Sequence, residues 1–259
     1  MRQPVLFIGH GSPMNALAHN EYSRTLYTLG ERLLKNPPKA ILMISAHWET
    51  DRATYFTADT NPKQIYDMYG FPDELYELKY HPVGYPQMFD KNLDLGIRPS
   101  ENNWGLDHGT WSTLVHLFPK ADIPVVQLSI DRSKTFAEHY LLAEKLQALR
   151  DQNILILGSG NIVHNLRNFD WKEKAPVMPW AADFDSWIDK QVEVRDDKKL
   201  LEHWMDHPSA KMAVPTPEHF LPLVYCLGAS ASTITDAKPE TVFNEIQNGS
   251  IAMRSYWFN

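Results

Sequence analysis

The stretch AILMISAHW, residues 40–48, is apolar without a break from Ala40 to Ile44 and reaches a histidine three residues later. A run with no polar alternation is the pattern of a strand buried on both faces, as in a parallel sheet covered by helices on each side. Open sheets of that kind gather ligands in the crevice beyond the carboxyl ends of their strands. His47, held between Ala46 and Trp48, therefore falls where such a fold keeps its chemistry.

Outward from this strand the same grammar repeats. PVLFIGH, residues 4–10, is a second apolar run that stops at His10, where Gly9, Gly11 and Pro13 force a turn. Between the two, Glu21 to Lys35 carries Leu26, Leu29, Leu33 and Leu34 at helical spacing and ends at Pro37-Pro38, which predicts an amphipathic crossover helix. Ala53 to Ala58 reads as a further strand or hairpin arm. From Asn61 to about Gly105 the periodicity fades, and Tyr66, Tyr69, Phe71, Tyr76, Tyr80 and Tyr85 read as an aromatic wall on loops and short helices, with Trp104 beside it.

Ile123 to Ile130 is another buried strand ending at Asp131, and Ser133 is placed to cap the helix that runs to about Gln152. Ile154 to Leu157 gives one more strand, followed by Gly158-Ser159-Gly160-Asn161 and then His164 one turn into the next element. Pro179 to Arg195 and Lys198 to His207 read as outer helices. Pro215 to His219 opens another helix with Pro217 in its first turn, and Thr241 to Phe258 closes as a hairpin across Gln247–Ser250. Strands alternating with helices predict an α/β fold with a mostly parallel central sheet and helices on both faces. No linker or repeat interrupts it, so residues 1–259 are read as a single domain.

Composition narrows the function. With 43% hydrophobic residues the chain can bury a core without staples. Cys226 is the one cysteine, which rules out an intramolecular disulfide and a thiolate zinc cluster. Histidine and carboxylate are left as metal donors, and a reducing, cytoplasmic setting is expected. The N-terminal apolar stretch is too short for a signal peptide, and no segment approaches the roughly 18 apolar residues of a membrane span. A net charge of −7 with scattered Lys and Arg argues against nucleic acid. Gly9-His10-Gly11 does not continue as a dinucleotide fingerprint, and Gly158-Ser159-Gly160 lacks the spacing of a nucleophile elbow.

Of the 11 histidines, His10 and His47 stand at strand ends and read as metal ligands or catalytic groups, with a satisfied buried histidine beneath Trp48 as the alternative for His47. His164, near Gly158, Gly160 and Asn161, reads either as a functional group or as a surface residue in a first helical turn. At Glu218-His219 either side chain is placed to point inward. His108 follows Asp107 in a Gly- and Trp-flanked loop, suited to acid/base work or to a structural role. His19, His81, His116, His139, His203 and His207 read as surface or packing residues.

Six ordered motifs, GHGSPMN (9–15), SAHWE (45–49), WGLDHGTW (104–111), VVQLSID (125–131), GSGNIVHNLR (158–167) and PTPEHFLPL (215–223), resemble the class III, LigB-type extradiol ring-cleavage dioxygenases, in their DOPA 4,5-dioxygenase branch. The resemblance spans nearly the whole chain. It implies a catalytic domain with a non-haem Fe(II) site that opens a catechol such as DOPA with O2, Zn(II) being able to occupy the same site. It implies His10, His47 and His219 as metal ligands and His164 as a catalytic base or fourth ligand. His108 would contact substrate or oxygen. A histidine-rich site departs from the usual two-histidine, one-carboxylate triad, and His207 to Pro217 only partly matches the plant signature. Two rivals share the site or fold: a zinc-dependent hydrolase, which needs no oxygen, and a Memo-type metal-binding interaction protein, which turns over no catechol.

Overall fold

The computed structural model describes residues 2–89, 95–101, 104–172, 175–231 and 238–259. Along them the chain forms β1 (Val5–Gly9), α1 (Glu21–Leu33), β2 (Ala40–Thr50), β3 (Thr54–Phe56), α2 (Asp73–Glu77), β4 (Ile97–Pro99), α3 (His108–Leu117), β5 (Val125–Asp131) and α4 (Phe136–Asp151). It continues through β6 (Ile154–Gly160), α5 (Pro179–Val194), α6 (Asp197–His203), α7 (Ala210–Ala213), α8 (Leu221–Ala229), β7 (Glu240–Phe243), β8 (Ile246–Gln247), β9 (Ile251–Ala252) and β10 (Ser255–Phe258).

Among the described residues, eight strands make one sheet in the order β4-β3-β5-β2-β6-β1-β10-β7. Its centre is parallel: β2 pairs with β5 and β6, and β6 with β1. Antiparallel β10 and β7 extend one side. The strand period of two sorts the side chains into two cores. Val5, Phe7, Leu42, Ile44, Ile154 and Ile156 pack against α4, α5 and α8, whereas Leu6, Ile8, Ile41, Met43, Leu155 and Leu157 pack against α1 and α3. The unbroken apolar runs follow from this, since both faces of each strand are covered.

Several boundaries differ from the sequence reading. The long helix is capped by Thr135, which accepts from the Glu138 amide while the Glu138 carboxylate accepts from the Thr135 amide; Ser133 is spent on Asp131 instead. Pro124 has no N–H for the ladder, so β5 starts at Val125. The helix expected at Pro215 begins at Leu221, with Pro222 rather than Pro217 in its first turn, and His219 lies in the turns before it. His164 lies outside any helix: it sits in a β-bridge to Ile251, its amide donates to the Ala213 carbonyl, and only a short 3-10 turn, Leu166–Asn168, follows it before α5 among the described residues. The closing hairpin is nested, β8 and β9 pairing across Asn248-Gly249 while β7 pairs with β10 in the main sheet. No helix among the described residues is long and apolar enough to cross a membrane.

Candidate metal centre and substrate cavity

The carboxyl ends of β1, β2 and β6 open into a cavity of about 470 Å³ floored by His10, His47, His108, His164 and His219. Each reaches it by a different local device. His10 follows the last residue of β1, and Gly11 turns the chain away with φ +61°, a conformation that glycine adopts without strain. His47 is presented by an interruption of the ladder, where β2 advances from Ile44 to Glu49 while β5 advances only from Leu128 to Ile130. His219 is drawn in by its backbone, whose carbonyl accepts from the Asn161 amide at 2.8 Å. That carbonyl occupies the space a Cβ on Gly160 would need, so only glycine ends β6 here. His108 is the first residue of α3, behind the capping residue Asp107.

Three imidazoles share one arrangement. The ligand nitrogens of His10, His47 and His219 lie within 4.8 Å of one another, and Nε2 of His10 is 3.1 Å from Nε2 of His47. On the far side, His10 Nδ1 is 2.9 Å from Ser159 Oγ, His47 Nδ1 is 3.2 Å from Asp67 Oδ2, and His219 Nδ1 is 3.0 Å from Glu218 Oε1. Because Ser159 donates its own proton to the Gly109 carbonyl at 2.6 Å, it accepts from His10 Nδ1–H. The three Nδ1 atoms are thereby held as donors, which leaves each Nε2 lone pair as the one free to bind a metal. Such outer oxygen partners fix the tautomer and orientation of metal-binding histidines. Two lone pairs facing each other at 3.1 Å repel unless a cation lies between them, and metal–nitrogen bonds of about 2.0–2.1 Å would span such a gap. The donor set fits a divalent first-row metal.

Electrostatics agree. Burial, reinforced by the neighbouring imidazoles, holds His10 and His219 well below the ordinary histidine value and lowers His164 to about 4. Neutral imidazole is the form that binds metal. Burial would lower His47 too, but its hydrogen bond to Asp67 and the charges of Asp107, Asp67 and Glu218 outweigh it and raise the net value. The same anions favour a cation among the three imidazoles.

His108 and His164 flank this trio. His108 stands 3.8 Å from His47, ring centre to ring centre, and its Nδ1 and amide both meet Asp67, at 2.9 and 2.8 Å. His164 stacks on His219 at 3.5 Å and 8°, and groups with Glu218 and His219 rather than with His10 and His47. Beneath them Ser45 donates to Asp107 at 2.7 Å, and Gln127 also donates to it. This satisfied network fixes the start of α3.

Asp67 was missed by sequence reading. One carboxylate joins His47 to His108, yet it sits in a segment without periodicity, where nothing but its chemistry marks it. Burial acts to raise its pKa, but the hydrogen bonds from His108 and His47 dominate and hold it well below the usual carboxylate range. The aromatic wall is only partly where it was expected. Tyr69 and Phe71 line the cavity, joined by Phe169 and Trp171 from beyond β6. Trp104 instead stacks on Trp48, and Tyr80 is buried with its hydroxyl on the Phe118 carbonyl. His116 and His139 are packing residues and His19, His81 and His203 are exposed.

Residues 4–256 match the family model described as the catalytic LigB subunit of aromatic ring-opening dioxygenase. The chain is 41% identical to a 4,5-DOPA dioxygenase extradiol of Escherichia coli K12, covering 98% of this chain and 94% of that one. It is 38% identical to the protein of that name from Beta vulgaris, covering 98% and 96%. The crystal structure of an uncharacterized protein from Escherichia coli K12 superposes with a TM-score of 0.84 at 36% identity, covering 100% of both chains. With histidines clustered at the strand ends and a match that spans almost its full length, the chain belongs to the LigB family of metal-dependent extradiol ring-opening dioxygenases.

Proposed function

We propose that this protein opens the ring of a catechol such as DOPA with O2, beside rather than between the two hydroxyls, and that residues 1–259 act as one catalytic domain. The observation that carries the reading is the trio of His10, His47 and His219, each with Nδ1 anchored on an oxygen and a ligand nitrogen within 4.8 Å of the other two on the cavity floor. Those three would hold Fe(II) in the active protein, and Zn(II) could occupy the same nitrogens, since imidazole suits both metals. When bound, ferrous ion would supply open positions at which catecholate and O2 meet.

The protein's own side chains do the rest. Asp67 holds the His108 Nδ1–H, leaving His108 Nε2 as an acceptor toward the cavity. His164, kept neutral by burial, is a base for a phenolic proton or a fourth donor. Ser159 is a poor nucleophile, because its proton is committed to the Gly109 carbonyl and its lone pair to His10. That observation disfavours a serine hydrolase. A cytoplasmic setting belongs to the same reading, since ferrous iron and the buried thiol of Cys226 both suit reducing conditions.

The test is to strip the protein of metal, load it anaerobically with Fe(II) or Zn(II), add DOPA and simpler catechols, and admit air. Oxygen uptake matched to ring-opened product with iron alone is the expected result. Zinc-supported hydrolysis without oxygen would replace this reading with the hydrolase, and no turnover of any catechol with either metal would replace it with a metal-binding interaction protein.

A further inference from the structure

The cavity is chemically two-sided. Its floor is imidazole and carboxylate, but its mouth is built of Tyr69 and Phe71 from the loop after β3, and of Leu166, Phe169 and Trp171 from the loop after β6. Tyr69 is 92% exposed, Trp171 81% and Leu166 64%. Large apolar side chains left in water around one opening gain most by covering a ligand. Phe169 and Trp171 stand edge to face, centroids 4.6 Å apart, and present a formed apolar surface. Among the described residues that line the cavity there is no Lys or Arg. Its one carboxylate, Asp67, is already engaged by His47 and His108.

A catechol whose hydroxyls face the histidine floor must project its ring substituent toward this mouth. We propose that Tyr69, Phe71, Leu166, Phe169 and Trp171 form a substituent pocket that selects catechols bearing an uncharged apolar chain over those bearing an amino-acid zwitterion such as DOPA. The inference rests on the ring-opening reading for which end of the substrate meets the floor. An alkyl chain gains by leaving water, by about fourfold per methylene. A carboxylate brought to the same surface loses hydration and meets no Lys or Arg among the described residues that line it.

The experiment is anaerobic calorimetry on the iron-loaded protein with 4-methyl-, 4-ethyl- and 4-propylcatechol, dopamine and DOPA, repeated on Trp171→Ala and Tyr69→Ala, followed by admission of air. Both positions are exposed, so neither variant threatens folding. Affinity is expected to rise about fourfold per methylene along the alkyl series, with DOPA about tenfold weaker than 4-propylcatechol. Each variant should flatten the series, losing most affinity for 4-propylcatechol and least for DOPA. DOPA binding as tightly as 4-propylcatechol, a flat series in the parent protein, or an equal loss for every ligand in the variants would overturn the proposal. The expected ranking without oxygen uptake would sink ring opening and leave the substituent pocket standing.

Discussion

The floor and the mouth of the cavity are built by opposite means. On the floor, His10, His47 and Ser159 stand on or next to central strands, and every imidazole of the trio has an oxygen behind it. At the mouth, Tyr69, Leu166 and Trp171 stand on loops with most of their surface in water. A centre that must hold a cation tolerates little displacement, so it is fixed by the sheet. A surface that chooses among substituents can change residue by residue at no cost to the fold.

If the floor is as interdependent as its hydrogen bonds suggest, removing one ligand should empty it. His10→Ala or His47→Ala is expected to bring both metal content and oxygen uptake to background, measured by metal analysis and an oxygen electrode on one preparation. Normal metal content in either variant would show that the trio is not the ligand set. Parallel Glu218→Ala and His219→Ala variants sharpen this: loss of metal only with Glu218 would put the carboxylate in the site. His108→Ala should keep its metal and slow turnover by about 10²- to 10⁴-fold, the range for a general acid or base. Loss of metal in that variant would move His108 into the ligand set.

Asp67→Asn tests the coupling between floor and flank. An amide oxygen keeps the shape but not the charge that holds two Nδ1–H groups, so metal affinity should fall by about 10- to 100-fold. Competition with a chelator measures this without any turnover. Unchanged affinity would make Asp67 a fixture of the loop and not of the centre.

Acid should weaken the floor selectively. In the unfolded chain His164 takes up its proton near the ordinary value of 6.5, whereas in the fold burial and His47 lower it to about 4. Between those values the unfolded state binds more protons, so stability falls as pH falls, by about 1.4 kcal/mol per pH unit for such a group. His47 has the opposite sign: its raised value stabilises at low pH, and that contribution is lost as pH rises through it. In metal-free protein, His164→Gln should reduce the acid slope of urea stability by about 1.4 kcal/mol per unit between pH 6.5 and about 4. An unchanged slope would mean that His164 is accessible to solvent.

The same division governs what could be read from the sequence. His10 and His47 were legible because unbroken apolar runs stop within three residues of them, and short runs of that kind bounded by turn signals fit strands of a covered sheet. His164 was misplaced in a helix because Gly158-Ser159-Gly160 looks like a turn. In the fold these residues stay in β6, the missing Cβ atoms of Gly158 and Gly160 making room for Pro222, Cys226 and the His219 carbonyl, and that contact comes from far along the chain. Asp67 and Trp171 were invisible for a related reason. Loops carry no period, and their roles depend on which strand end they arch over.

The smallest effect expected is on stability at the mouth, and it separates the two regions most directly. Trp111 is fully buried in the layer beneath the floor, with its indole N–H on the Ile65 carbonyl at 3.0 Å. Its replacement by Ala should cost about 3–5 kcal/mol, through lost burial and the cavity left behind. Trp171 is 81% exposed, so Trp171→Ala should leave the urea midpoint within about 0.5 kcal/mol of the parent. A loss of 2 kcal/mol or more there would mean that the loop beyond β6 is part of the packed fold. Its aromatics would then be held in place for stability, and the freedom of the mouth to vary with substrate would be lost with them.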